Sequence, residues 1–350
     1  MRPLSVFIAI LLTLQQALAA PPPPALSGAP DVVLKWIKGY RAKPTPMAVP
    51  AIVQALSAHG TIKDPDSSGV YVGFFAGVLH ENPAKAWTIV EKTLPLPFED
   101  QWIVIRALAY SGLPDWKDLM RALALRLPER QVMAQKYLDG ELPPLNQVSL
   151  EPTQRTSMDK VKGFFTGEMF WGKKEVKRQI TFQSSPELID ALWGVYYATG
   201  SEGAIAQIVV LLPWAKERDN VEKLTIGSMA RFTLASNAAR DAELLGVLKH
   251  LQAQNQPKAV KPVLAEVIEA AELVDTARLG KEAVAALDEL KRKGPGSSRD
   301  LATWGSVGEA ALSFGCLGLA AAGQVEAGIP CVIGGALTTG AVRYFGGAAN

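Results

Sequence analysis

The sequence predicts an all-α protein, with a body of paired helices and a glycine-rich helical hairpin near the C-terminus. Prolines divide the body into short segments, and apolar residues recur within these segments at spacings of three and four. This spacing places apolar side chains on one face of a helix. The hairpin is predicted from residues 310–345, "AALSFGCLGLAAAGQVEAGIPCVIGGALTTGAVRYF", in which small and apolar residues dominate.

Composition favours a globular chain with a core of ordinary size. The 350 residues are 48% hydrophobic and 20% charged, proportions that are typical of folded domains. The formal net charge of +2 gives no overall attraction to nucleic acid or to an anionic membrane.

Residues 1–19 are predicted to be a signal peptide. Arg2 supplies a positive start, an apolar run follows from Leu4 to Leu14, and Ala17-Leu18-Ala19 fits the small-x-small cleavage rule. We therefore expect an exported protein, periplasmic or extracellular. The alternative is an uncleaved anchor, for which an apolar run of about 11 residues is short.

The chain behind the signal peptide divides into five predicted segments. They are a proline-rich lead at 20–30, a helical region at 31–142, a linker with a basic and aromatic excursion at 143–183, a second helical region at 184–293, and the hairpin module at 301–346. Asn82-Pro83 is a helix start signal in the first region. A repeat of apolar residues predicts a helix late in the second: Val263, Leu264, Val267, Ile268, Ala271 and Val274.

Two segments of the body resemble each other. "GFFAGVLHENPAKAWTIVEKTLP" begins at Gly73, and "GVYYATGSEGAIAQIVVLLP" begins at Gly194. Each has a glycine, aromatic residues, a turn, an apolar helix and a Leu-Pro stop, which predicts an internal repeat; the alternative is that any two helix–turn–helix units look this similar. The architecture resembles helix-pair repeats of the tetratricopeptide or HEAT kind, although the tetratricopeptide consensus is absent. The resemblance implies a surface for binding and assigns no functional residues.

No motif in the sequence indicates catalysis or a cofactor. The three histidines, His59, His80 and His250, form no zinc-binding pattern, and no nucleophile elbow or phosphate-binding loop occurs. We expect no cofactor and no metal. Asp64, Asp66 and Ser68 start like a calcium loop, but Phe75 stands where the loop needs a bidentate glutamate. The alternative interpretation is an Asx turn before the next element.

The excursion at 143–183 is a candidate for binding an anionic surface. Lys173, Lys174, Lys177 and Arg178 follow Trp171 closely, and mixed cationic and aromatic side chains suit a lipid headgroup layer. The alternative is a solvated loop whose aromatic rings pack on the body. Nucleic acid is not expected as a partner outside the cytoplasm.

Cys316 and Cys331 are predicted to form a disulfide. They lie at equal distances from the expected turn of the hairpin, and export brings them to an oxidising compartment; the alternative is two buried free thiols. Each charge-free run of the hairpin has about 16 residues, or about 24 Å as a helix, which is short for a bilayer core of about 30 Å. We therefore expect it to be soluble, with membrane insertion as the alternative.

The sequence as a whole favours a non-enzymatic binding or scaffold protein of the bacterial cell envelope, with a protein partner. One alternative is a membrane-active or membrane-associated protein that acts through the hairpin. Another is a hydrolase whose residues meet only in three dimensions.

Overall fold

The computed structural model describes residues 28–147, 186–218 and 220–274, with isolated residues up to 289. The predicted signal peptide, most of the proline-rich lead, residues 148–183 of the excursion and the hairpin module lie outside the described residues. Within them, every regular element is a helix, so the all-α prediction is confirmed.

Twelve α-helices occupy the described residues. They are α1 Pro30–Gly39, α2 Val49–His59, α3 Gly69–Glu81, α4 Ala86–Thr93, α5 Trp102–Tyr110, α6 Trp116–Arg126, α7 Gln131–Leu138, α8 Pro186–Thr199, α9 Glu202–Val209, α10 Val221–Ala238, α11 Ala242–Ala253 and α12 Val260–Glu272. None of these described helices is both long enough and apolar enough to span a bilayer.

Proline and glycine set many of the helix boundaries. Proline stands in the first turn of α1 and α2, where its missing N–H leaves no bond unmade. Gly60 ends α2 with a φ of 78° and donates its N–H back to Leu56 and Ser57. That left-handed cap suits glycine because it has no Cβ to clash.

Helix α3 lies at the centre of the body. All its residues from Gly69 to Leu79 are buried, so it has no polar face and no amphipathic period. It packs against α5 on one side and most extensively against α8 on another. Helix α8 thereby joins the helices before residue 148 to those after residue 185.

Glycines bring the backbones of α3 and α8 into contact. A Cβ on Gly69 would lie 3.0 Å from Asp190 Cβ, one on Gly194 would lie 2.9 Å from the carbonyl carbon of Gly73, and one on Gly77 would lie 2.7 Å from Ala198 Cβ. The three pairs are Gly69 with Asp190, Gly73 with Gly194, and Gly77 with Ala198. The residue numbers rise in equal steps on both helices, so the two helices run parallel. Gly73 and Gly194 begin the two similar segments, which is compatible with an internal repeat; the repeat itself stays a prediction.

The second group of helices surrounds α10. Two buried hydrogen bonds join it to α8: Trp193 Nε1 donates to Thr233 Oγ1 at 3.1 Å, and Tyr197 Oη donates to Asn237 Oδ1 at 3.2 Å. Both partners advance by four residues on each helix, so α8 and α10 also run parallel. Helix α12 packs on α10 and α11.

Arg41, which follows α1, links the start of the body to α11. Its guanidinium lies 4.6 Å from the centre of the Tyr196 ring and donates to Glu243 Oε1 at 2.8 Å. Asp241, 3.4 Å from the same guanidinium, caps α11 by accepting the Leu244 N–H at 3.1 Å. Contacts between residues 200 positions apart thus close the body around α8.

Candidate interaction surface

The residues of the calcium-like segment form a turn. Asp64 Oδ1 accepts the backbone N–H of Asp66 at 3.1 Å, and Ser68 Oγ donates to the carbonyl oxygen of Asp64 at 2.7 Å. These bonds are those of an Asx turn that leads into α3. Phe75 is buried in α3, and the described residues contain no group of three or more acidic, histidine or cysteine side chains that could hold a metal ion.

The other predicted site residues lie outside the described residues. They are the anionic-surface candidates Trp171, Lys173, Lys174, Lys177 and Arg178, and the disulfide candidates Cys316 and Cys331. These predictions stand untested.

A surface that the sequence did not indicate forms where α6 ends against α4. Trp87 and Glu91 stand one turn apart on α4. Arg126, the last residue of α6, places its guanidinium 5.5 Å from the centre of the Trp87 ring and its Nη2 2.5 Å from Glu91 Oε1. The arginine therefore lies against an aromatic ring and a carboxylate together, a favourable environment for a cation.

A second arginine, four residues further along the chain, also lies over an aromatic ring. Arg130, in the 3-10 helix Pro128–Arg130, lies 4.0 Å from the centre of the Phe98 ring. Its Nη2 and Nε donate to the carbonyl oxygen of Phe98 at 2.6 and 3.2 Å. These bonds fix the 3-10 helix to the segment between α4 and α5.

Two exposed apolar side chains lie near the arginines in sequence, and a third is the ring that lies against Arg130. Leu125 is 80% exposed, Val132 is 71% exposed, and Phe98 is 47% exposed. We call this surface the Arg–aromatic strip, defined by Trp87, Phe98, Leu125, Arg126, Arg130 and Val132. Tryptophan, phenylalanine and arginine are enriched at protein interfaces, and tryptophan and arginine are common among the residues that dominate binding energy.

A half-buried polar cluster lies elsewhere, where α5 meets α7 and α8. Arg106 Nη1 donates to Glu187 Oε1, and its guanidinium lies 5.0 Å from the centre of the Trp102 ring. The rings of Tyr110 and Tyr137 meet edge to face at 6.4 Å beside it. Burial raises the pKa of Glu187, Arg106 opposes that rise, and Asp66 and Asp64 add to it.

This cluster has the perturbed carboxylate that a hydrolase would need, but not the rest of the arrangement. A glycosidase sets two carboxylates on either side of a substrate, whereas the neighbour of Glu187 is a guanidinium that pairs with it. A cavity between α1, α2 and α3 is lined mainly by apolar side chains and has a volume of only about 10 Å³, which is too small for a substrate. The cluster is an ion pair that joins helices.

No family model, curated protein or solved structure matches this chain.

The sequence missed the strip because its contacts are long-range. Arg126 and Arg130 stand on either side of Leu127-Pro128, while their ring partners lie more than thirty residues earlier. The only local signal is two arginines four residues apart across a proline, and that pattern fits many exposed turns.

Proposed function

We propose that this chain is a non-enzymatic binding or scaffold protein that engages a protein partner through the Arg–aromatic strip. The observation that carries the proposal is the exposure of Phe98, the ring against Arg130, and of Leu125 and Val132, which lie close in sequence to the two arginines held over aromatic rings. Folding buries most apolar side chains of the body, so large apolar groups left in water beside ordered arginines favour an interface.

The contacts of the arginines support a preformed surface. Arg130 is held by two bonds to the Phe98 carbonyl oxygen, and Arg126 by Glu91. Side chains that are already ordered lose less conformational entropy when a partner binds. The predicted signal peptide is the sequence feature that supports a role at the cell envelope.

A photo-crosslinking residue in place of Val132 tests the proposal in the native cell. The matched control carries the same residue in place of Val210, another valine, which is 51% exposed at the end of α9. We expect a discrete adduct from position 132 that position 210 does not give. Leu125→Glu should abolish this adduct because it places a charge in the apolar part of the interface. Identical adducts from both positions, or none from position 132, would contradict the proposal.

The alternative of membrane activity rests on the predicted hairpin at 301–346. Leakage of anionic liposomes by the full chain, lost when residues 301–346 are removed, would favour it over a protein partner.

A further inference from the structure

Two of the exposed apolar side chains in the Arg–aromatic strip have a basic residue one helical turn away. Leu125 follows Arg121 by four residues on α6, and Lys136 follows Val132 by four residues on α7. Side chains four residues apart stand on the same face of a helix. Arg121 and Lys136 are both exposed, so each pair presents a cation and an apolar group to solvent together.

The third exposed apolar side chain, Phe98, is in direct contact with its basic residue. The Arg130 guanidinium lies over this ring, and its Nε and Nη2 donate to a carbonyl oxygen, which has no net charge. Within the part of the chain that the structure describes, no carboxylate forms an ion pair with Arg130 or with Lys136. The positive charge of Arg130 is therefore held in place without a counter-charge.

Basic residues outnumber acidic ones in this part of the chain. Residues 116–138, which span α6 and α7, hold five lysines and arginines against two acidic residues, Asp118 and Glu129. This surplus of three exceeds the net charge of +2 of the whole chain. Asp118 pairs with Arg121 in an exposed contact, which contributes little to stability and which a partner can replace. The charge offered to a partner is therefore positive.

We propose that the partner segment bound by the Arg–aromatic strip is acidic and amphipathic, with apolar side chains that contact Phe98, Leu125 and Val132 and carboxylates that pair with the basic residues beside them. This inference rests on the proposed function and adds the chemistry of the partner. Leu125 and Val132 are seven residues apart, so their Cα atoms lie within about 25 Å of each other, and one helix or extended segment can contact both. Opposite charges on the two partners speed association and disfavour wrong partners.

An anionic membrane would share the negative charge, but it suits this surface less well. Asp118 and Glu129 are exposed and stand in sequence among the basic residues, so a continuous layer of anionic headgroups would meet them as well. A protein segment can place its carboxylates opposite the cations alone. The charge pattern therefore favours a protein segment over a lipid surface.

Two substitutions at one position test the sign of the partner's charge. Leu125→Lys and Leu125→Glu both remove the apolar contact, and they add opposite charges. With the photo-crosslinking residue at position 132 of the full chain, we expect Leu125→Lys to give at least about ten times more adduct than Leu125→Glu, because charge changes association rates by about tenfold or more. Lys136→Gln should lower the yield, whereas the control Lys261→Gln, an exposed lysine of α12, should leave it unchanged.

Mass spectrometry of the adduct identifies what position 132 captures. We expect a peptide of another protein in which aspartate and glutamate outnumber lysine and arginine around the crosslinked residue. A neutral or basic peptide, a peptide of this same chain, or equal yields from Leu125→Lys and Leu125→Glu would overturn the acidic partner. A neutral or basic peptide of another protein would still leave the proposed function standing. A lipid adduct, or no adduct from position 132, would overturn both proposals.

Discussion

Gly73 and Gly194 face each other across the crossing of α3 and α8, and neither has room for a methyl group. A Cβ on Gly73 would lie 1.9 Å from the carbonyl oxygen of Ala191, and one on Gly194 would lie 2.2 Å from that of Val70. The obstacles are backbone atoms on both sides, so no side chain can rotate away to make space. The two glycines therefore set the distance between the helices.

Gly73→Ala should destabilise the protein by about 2 kcal/mol or more, because overpacking at a backbone contact outweighs the higher helix propensity of alanine. The matched control is Gly246→Ala in α11, where a Cβ would have no neighbour within 4 Å. That variant should gain up to about 1 kcal/mol. Urea unfolding of both measures the difference, and equal effects would show that the α3–α8 contact can yield.

Two tyrosine-to-phenylalanine changes should affect the free energy of unfolding differently. Tyr197→Phe removes the hydroxyl that donates to Asn237 Oδ1, which leaves a buried acceptor unpaired and costs about 1–3 kcal/mol. In Tyr40→Phe the lost hydroxyl is buried, and no described residue bonds to it, so stability should stay the same or rise. Thermal unfolding of the two variants measures the difference. An equal loss of stability in both would refute the role of the bond to Asn237.

Arg106→Met should be costly at neutral pH and less so in acid. The change leaves the Glu187 carboxylate half-buried without its guanidinium, a loss of about 3 kcal/mol for a buried pair. Protonation of Glu187, whose pKa burial raises further once the cation is gone, removes the unpaired charge as the pH falls. The control Arg126→Met breaks an ion pair whose arginine is 50% exposed and should lose less than about 1 kcal/mol from that pair. The measurement is the free energy of unfolding of both variants across a pH series. A loss from Arg106→Met that is the same at every pH would contradict this prediction.

Asp64 should contribute to stability through its turn. Asp64→Ala removes the oxygen that accepts the Asp66 N–H and should cost about 1 kcal/mol, as the loss of a cap does. Millimolar calcium should leave the melting temperature of the unaltered chain unchanged. A rise with calcium that Asp64→Ala abolishes would restore the calcium-loop interpretation.

Local patterns predicted the amphipathic helices well. Val263, Leu264, Val267, Ile268 and Ala271 are buried in α12. Val274, predicted on the same face, is 72% exposed because the helix ends at Glu272 and Val274 has a φ of 54°. At Asn82-Pro83 the predicted start is confirmed as a 3-10 helix, Pro83–Lys85, which leads into α4 at Ala86. The Asn82 side-chain amide makes no cap and instead donates to the Val78 carbonyl oxygen at 2.9 Å.

Elements whose apolar residues show no helical period could not be assigned from the sequence. The stretch from Val70 to Phe75 fits a helix or a strand equally well, since α3 is buried on every side and no polar face marks its period. The Arg–aromatic strip and the Arg106–Glu187 pair escaped for another reason. Their members come together only through tertiary packing, and residue spacing along the chain carries no information about that.

The central position of α3 has a consequence for how the chain folds as it is made. Synthesis runs from the N-terminus, so α3 is complete more than a hundred residues before the end of α8. Until α8 arrives, the glycine face of α3 has no native partner, and an uncovered apolar helix is prone to aggregate. Such a long-range contact also slows folding, so we expect the chain to be most prone to aggregation during the interval between the two helices.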